Sequence, residues 1–138
     1  MIYITRREHF NAAHKLFNPK WSDEQNLDMF GKCANPNWHG HNYNLYVTVK
    51  GEVNPDTGYS ANLKDISTVI KTYVTDKLDH KNLNLDVDFM KNIMPSTENV
   101  AIAIWNELKP HIDAMGGCEL HAIKLYETEN NYVEYFGN

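Results

Sequence analysis

The chain has 138 residues, 42% apolar and 22% charged, and its 13 Lys+Arg against 18 Asp+Glu leave a formal net charge of −5 at neutral pH. This composition supports one domain, residues 1–138, with a buried core; it is too apolar for disorder and contains no apolar run of about 18 residues to cross a bilayer. No Lys/Arg block is present, which argues against nucleic acid or an anionic membrane as partner. The start MIYITRREHF carries charge where a secretory leader would be apolar, so a cytoplasmic location is expected. Cys33 and Cys118 read as reduced thiols and not as a disulfide framework.

Residues 1–14 place Ile2, Ile4, Phe10, Ala12 and His14 on one parity, interrupted at Arg6 and Glu8, which predicts a first strand. Residues 15–38, KLFNPKWSDEQNLDMFGKCANPNW, hold no sustained period and read as a long connection, which in a small domain usually goes with function. From His39 the alternation is clean, with His41, Tyr43, Leu45, Val47 and Val49 on one face of a second strand. NPDTG at 54–58 is a turn, and Asn62 caps a helix on which Leu63, Ile66, Ile70, Val74 and Leu78 recur at helical spacing. Ser96 caps a second helix through Val100, Ile104 and Leu108, expected to stop as Pro110 approaches. Its VAIAIW segment is apolar on nearly every side and predicts burial against a second surface, such as another subunit. After Gly116-Gly117, ELHAIKLYE and NYVEYF read as two strands around the turn TENN. Strands in consecutive pairs, in the order ββααββ, favour an α+β domain with an antiparallel sheet. No Gly-rich phosphate loop joins a strand to a helix.

Seven histidines are the unusual feature of the composition. His39 and His41 are two apart on a strand, so both rings leave the same face about 7 Å apart, a spacing that lets a pair chelate one ion. His14, ending the first strand on its apolar parity, is the natural third ligand if the strands pair, which gives the three-ligand zinc site with a free fourth position; the alternative is that two of these histidines are hydrogen-bonded sheet residues that bind nothing. Cys33, six residues before His39, reads equally as a fourth ligand of a closed structural site or as a thiolate beside the metal. Asp79-His80 reads as a charge at a helix C-terminus or as an acid/base pair. Glu98 reads as a first-turn acid or a ligand contact. Glu127 shares the parity of Ile123 and Leu125, which turns its carboxylate toward the buried side, where it would accept two N–H donors from a flat heterocycle such as a pterin or guanine.

Six motifs in order, FNAAH (10–14), CANPNWHGHNY (33–43), DTGYSANLKDI (56–66), LDHKNLN (78–84), STENVAIAIW (96–105) and LYETENN (125–131), resemble the 6-pyruvoyl tetrahydropterin synthases and the related 6-carboxytetrahydropterin synthases over nearly the whole chain. The resemblance implies a T-fold, here a four-stranded antiparallel sheet with two helices on one face, assembled as a homohexamer of two trimers with sites at subunit boundaries. It implies His14, His39 and His41 as ligands of one Zn²⁺ per subunit, and Cys33 as catalytic thiol. Asp79 and His80 become its acid/base partners across the interface, and Glu127 the pterin anchor with Thr97 and Glu98 lining the pocket. The implied reaction turns 7,8-dihydroneopterin triphosphate into 6-pyruvoyl tetrahydropterin with loss of triphosphate. Mg²⁺ is a candidate helper of triphosphate binding, and Arg6, Arg7, Lys15 and Lys32 are its candidate cations.

The five residues between Cys33 and His39 resemble the pyruvoyl synthases, whereas the carboxy-forming relatives of queuosine and 7-deazaguanine synthesis typically have three. Two positions depart from the family pattern: Trp38 stands where Gly is frequent, and Tyr59-Ser60-Ala61 replaces a more apolar stretch. The alternatives are the 6-carboxy activity, a nonenzymatic, zinc-stabilised pterin- or purine-binding module with Cys33 as fourth ligand, and a simple zinc hydrolase with a general base near the metal-bound water.

Overall fold

In the computed structural model, which describes residues 1–138, the two alternating segments form long antiparallel strands, β1 (Ile2–His14) and β2 (His39–Gly51). They pair along their whole length, from Ile2 opposite Gly51 to His14 opposite His39. β4 (Glu119–Tyr126) flanks β2 and β5 (Tyr132–Tyr135) flanks β4, both antiparallel. The sheet nevertheless departs from the predicted four antiparallel strands. A short β3 (Lys81–Asn82) runs parallel to β1 beside Ala12 and Ala13, giving a mixed five-stranded sheet of order β3-β1-β2-β4-β5. Two residues are too few for a period of two to show in sequence. The pairing is set by the exit of the preceding helix, where the His80 N–H donates to the Asn11 carbonyl and the Leu83 N–H to that of Ala13.

One face of the sheet is apolar because alternate strand residues share a face: Phe10, Tyr43, Leu45, Val47, Ile123 and Leu125 are all fully buried on it. Two helical segments pack there. α2 (Leu63–Ile70) passes through a π-helical turn, Lys71–Thr75, into α3 (Asp76–Leu78), and α4 (Thr97–Asp113) follows later in the chain. Most of the helical repeat read from sequence is the buried face: Ile66, Ile70, Val74 and Leu78 meet Val100, Ile104, Leu108 and Ile112 in the same core, while Leu63, in the first turn, is exposed. Asn62 and Ser96 cap as expected, accepting the N–H groups of Lys64 and Asn99.

Three expectations change. α4 does not stop at Pro110 but runs to Asp113; a proline this near a helix end forfeits one backbone bond, while Leu108 and Ile112 on either side stay fully buried. VAIAIW finds most of its second surface within its own chain. Only Ile102 of that segment is exposed, and Trp105 is covered by the edge-on ring of Tyr135 at 5.5 Å and by Gly137, where a Cβ would come within 2.2 Å of the indole. Residues 15–38, read as irregular, contain α1 (Asp23–Phe30) and a 3₁₀ turn, Gly31–Ala34. α1 starts on a reciprocal Ser22/Gln25 capping box. It leaves Leu27 and Met29 exposed, so no apolar stripe announced it.

The charged interruption in β1 also has its explanation. Glu8 is buried on the core face, where its Oε1 accepts the Ser67 hydroxyl at 2.7 Å and the Arg6 Nε–H at 2.9 Å. No helix is long and apolar enough to cross a membrane.

Candidate functional site

The β1–β2 register places His14 opposite His39, with His41 two residues along on the same face. The three ring centroids are 4.5–5.0 Å apart, and the nitrogens available for ligation lie within 4.8 Å of one another. His14 Nδ1–H donates to the Pro95 carbonyl at 2.7 Å, which leaves the Nε2 lone pair free. His14 Nε2, His39 Nδ1 and His41 Nε2 are all buried without a hydrogen-bond partner. Three converging unsatisfied nitrogens are costly, and one divalent cation would satisfy all three. The residues therefore fit a metal ion.

Electrostatics favour the ligating form. Burial pulls the His14 pKa down, opposed by the Pro95 carbonyl and Glu127 but assisted by the two neighbouring imidazoles. Burial and His41 likewise lower His39. Both are then neutral at neutral pH, as ligands must be. Beneath them Tyr43 stacks on Phe10 at 4.8 Å with its hydroxyl 3.4 Å from His14 Nδ1, and burial pushes its phenol far above the usual range, so it stays protonated.

Glu127, one residue past β4, turns its carboxylate onto the triad: Oε1 lies 3.7 Å from His41 Nε2 and Oε2 4.0 Å from His14 Nε2. The Thr97 hydroxyl donates to Oε2 at 2.5 Å. Thr97, Glu98 and Glu127 line one cleft of about 230 Å³ with Leu16, Asn131 and Tyr132. The sequence-predicted ligands and binding residues are thus brought together.

Cys33 and the Asp79-His80 pair are placed differently. Cys33 sits half-buried in the 3₁₀ turn, its carbonyl accepting the Leu16 N–H at 2.8 Å, and it is not part of the histidine group. Asp79 Oδ1 accepts the Asn11 N–H at 2.8 Å while Oδ2 lies 3.0 Å from His80 Nδ1. The Asn11 N–H, followed by His80, holds the Asp79 carboxyl below its ordinary range despite opposing desolvation. His80 takes a left-handed φ of 61° and shares with His41 a cleft of about 550 Å³. No hydrogen bond joins Cys33 to Asp79 or His80 within the subunit.

Residues 3–138 match the family model described as 6-pyruvoyl tetrahydropterin synthase.

The chain belongs to the 6-pyruvoyl tetrahydropterin synthase family.

A curated relative, the 6-pyruvoyl tetrahydrobiopterin synthase of Pongo abelii, is 46% identical over 97% of this chain and 90% of its own. A solved structure of the Caenorhabditis elegans 6-pyruvoyl tetrahydropterin synthase superposes with a TM-score of 0.92 at 37% identity, covering 99% of this chain and 96% of its own. The 6-carboxy-5,6,7,8-tetrahydropterin synthase of Rickettsia typhi is more distant, 29% identical over 97% of this chain and 99% of its own. Against this family frame, sequence reading overlooked the supports of the site. The Pro95 carbonyl, the Asn11 backbone and the Asn84 side chain, which brackets Lys15 through its N–H and carbonyl at 3.0 and 3.1 Å, orient functional groups without carrying any chemistry of their own. Only Tyr43 had a signal, its parity with His39 and His41.

Proposed function

We propose that this protein is a zinc-dependent carbon–oxygen lyase that converts 7,8-dihydroneopterin triphosphate to 6-pyruvoyl tetrahydropterin and inorganic triphosphate. The observation that carries the reading is the convergence of three unsatisfied histidine nitrogens with the Thr97-tethered carboxylate of Glu127. It supplies a metal position and, beside it, a bidentate acceptor for the N–H groups of a pterin. The similarity to the pyruvoyl synthases, stronger than to the carboxy-forming relative, and the five-residue Cys33–His39 interval support the pyruvoyl product.

Zn²⁺ held by His14, His39 and His41 would act as a Lewis acid toward the side-chain oxygens of the substrate. Glu127 and Thr97 hold the pterin ring, with Glu98 at the mouth of the same cleft. Cys33 as thiolate removes a proton from the side chain, and His80, fixed by Asp79, gives or accepts the other. The resemblance to the family assigns the Asp79-His80 pair to a neighbouring copy, and within the subunit no hydrogen bond joins it to Cys33. Outer edges at β3 and β5 and the exposed Leu27 and Met29 of α1 favour contact between subunits, and the homohexamer is the assembly that the resemblance to the family implies. A cytoplasmic setting suits two unpaired cysteines, and Mg²⁺ would accompany the triphosphate.

The test is incubation of the zinc-loaded protein with 7,8-dihydroneopterin triphosphate under anaerobic conditions and identification of products by mass. A 6-pyruvoyl product with free triphosphate is expected. A 6-carboxy product with acetaldehyde would keep the site but assign the other activity, and no product would favour a binding module.

A further inference from the structure

Four cations are candidates for the phosphate end of the substrate, and the structure separates them. Arg6 is engaged with buried Glu8, and eight residues of strand, roughly 26 Å, separate it from His14. Arg7 is nearly as far along β1, seven residues from His14, and donates to Asn44. Lys32 is exposed and has no ion-pair partner. Lys15 is different: it follows His14 directly, and its ammonium sits 5.0 Å from the ring centre of Phe17 and 4.6 Å from that of Trp38, the residue before His39. Asn84 fixes its backbone from the other side through two hydrogen bonds. No carboxylate pairs with it.

Trp38 makes this arrangement more than a surface lysine near aromatics. Its φ is 67°, a conformation that a bulky side chain seldom adopts and that glycine takes without strain. A bulky residue held there by its surroundings points to use. The Lys15 ammonium lies over the indole, so a residue next to His14 in sequence is held against one next to His39. The result is a positioned, partly dehydrated point charge with no anion of its own, suited to phosphate oxygens.

We propose that Lys15, bracketed by Phe17 and Trp38, receives the polyphosphate end of the substrate, and that Trp38 is the positioning residue for it. This rests on the substrate reading above, so the test uses two readouts. The first is binding of inorganic tripolyphosphate to the intact protein by calorimetry. Lys15→Gln is expected to weaken it about tenfold and Trp38→Gly about threefold, with Trp38→Phe and Lys15→Arg near wild type. The double variant K15Q/W38G should bind no worse than K15Q alone, because the indole acts only through the lysine. Lys20→Gln, an exposed lysine outside the bracket, should change nothing. The second readout is turnover of 7,8-dihydroneopterin triphosphate, where K15Q should raise KM and leave kcat close to wild type.

Equal tripolyphosphate binding by K15Q and wild type, an equal loss in K20Q, or an additive double variant would each overturn the proposal. Lys15-dependent tripolyphosphate binding without any turnover would sink the substrate reading and leave the bracket standing. Turnover with Lys15-independent binding would do the reverse. If W38G fails to fold, the comparison of K15Q with W38F and K20Q still decides.

Discussion

The Thr97 hydroxyl donates to Oε2 of Glu127 across 2.5 Å, so the carboxylate beside the three histidines is tethered to the first turn of α4. Hydrogen bonds to a charged group contribute about 1.5–3 kcal/mol. Thr97→Val, which keeps the shape and removes the donor, should therefore raise the KM for the pterin about tenfold with a smaller change in kcat. Glu127→Gln, which keeps the volume but not the charge, should cost more, about a hundredfold in kcat/KM. Steady-state kinetics of both variants against wild type provide the check.

Metal content separates the ligands from the thiol. His39→Ala leaves two nitrogens where three converge, and should drop metal stoichiometry to near zero after dialysis, together with turnover. Cys33→Ala should retain the metal in full and lose turnover, because Cys33 lies outside the histidine group. Metal analysis beside an activity assay reads both; loss of metal from C33A would contradict its assignment as a thiol base.

His80 predicts a conflict between stability and activity. Its φ of 61° is a left-handed conformation held by the N–H bond to Asn11, and strain of this kind costs on the order of 1–3 kcal/mol. His80→Gly should raise the thermal midpoint by a few degrees while lowering kcat about a hundredfold. Thermal unfolding and kinetics on the same preparation test it. A fall in both would mean that the ring itself contributes to the fold.

Glu8 gives a pH dependence with a defined sign. Burial alone would raise its carboxyl, but hydrogen bonds from Ser67 and Arg6 and the charges of Arg6 and Lys71 together leave it below the ordinary glutamate value of 4.5. A carboxyl lowered on folding stabilises the protein above its unfolded pKa, and the contribution is lost as pH falls through the folded one. Stability should decline on acidification below about pH 4.5. In Glu8→Gln that part of the decline should be absent. Ser67→Ala should lose about 1–2 kcal/mol at neutral pH by leaving the carboxylate short of a donor, measured by urea unfolding.

What was legible in sequence follows from periodicity and motif. β1, β2 and the apolar faces of α2 and α4 repeat over enough residues to declare themselves, and His39-x-His41 with His14 on the matching parity marked out the three histidines that the strand register brings together as a group able to hold a metal ion. β3 was invisible because two residues carry no period, and α1 because its apolar residues point to solvent. The supports of the site were hidden for another reason. Pro95 and Asn11 act through backbone groups that every residue possesses, so side-chain chemistry gives no sign of them. The Arg6–Glu8 break in β1 was visible, but only the position of Ser67, 59 residues away in sequence, explains it.

The opposition of His14 and His39 has a mechanical consequence. These two residues stand at the base of everything from 15 to 38, so an ion bound to both would join the ends of that excursion as a cross-link does. Protease cleavage within it, at the exposed Lys20 or Lys32 for instance, would then yield two fragments that separate at a higher urea concentration with the ion bound than after a chelator is added. The same nick in the metal-free protein would leave the first fourteen residues held by their pairing with β2, the burial of Phe10 and the side-chain hydrogen bonds of Glu8 and His14, with no cross-link at the base.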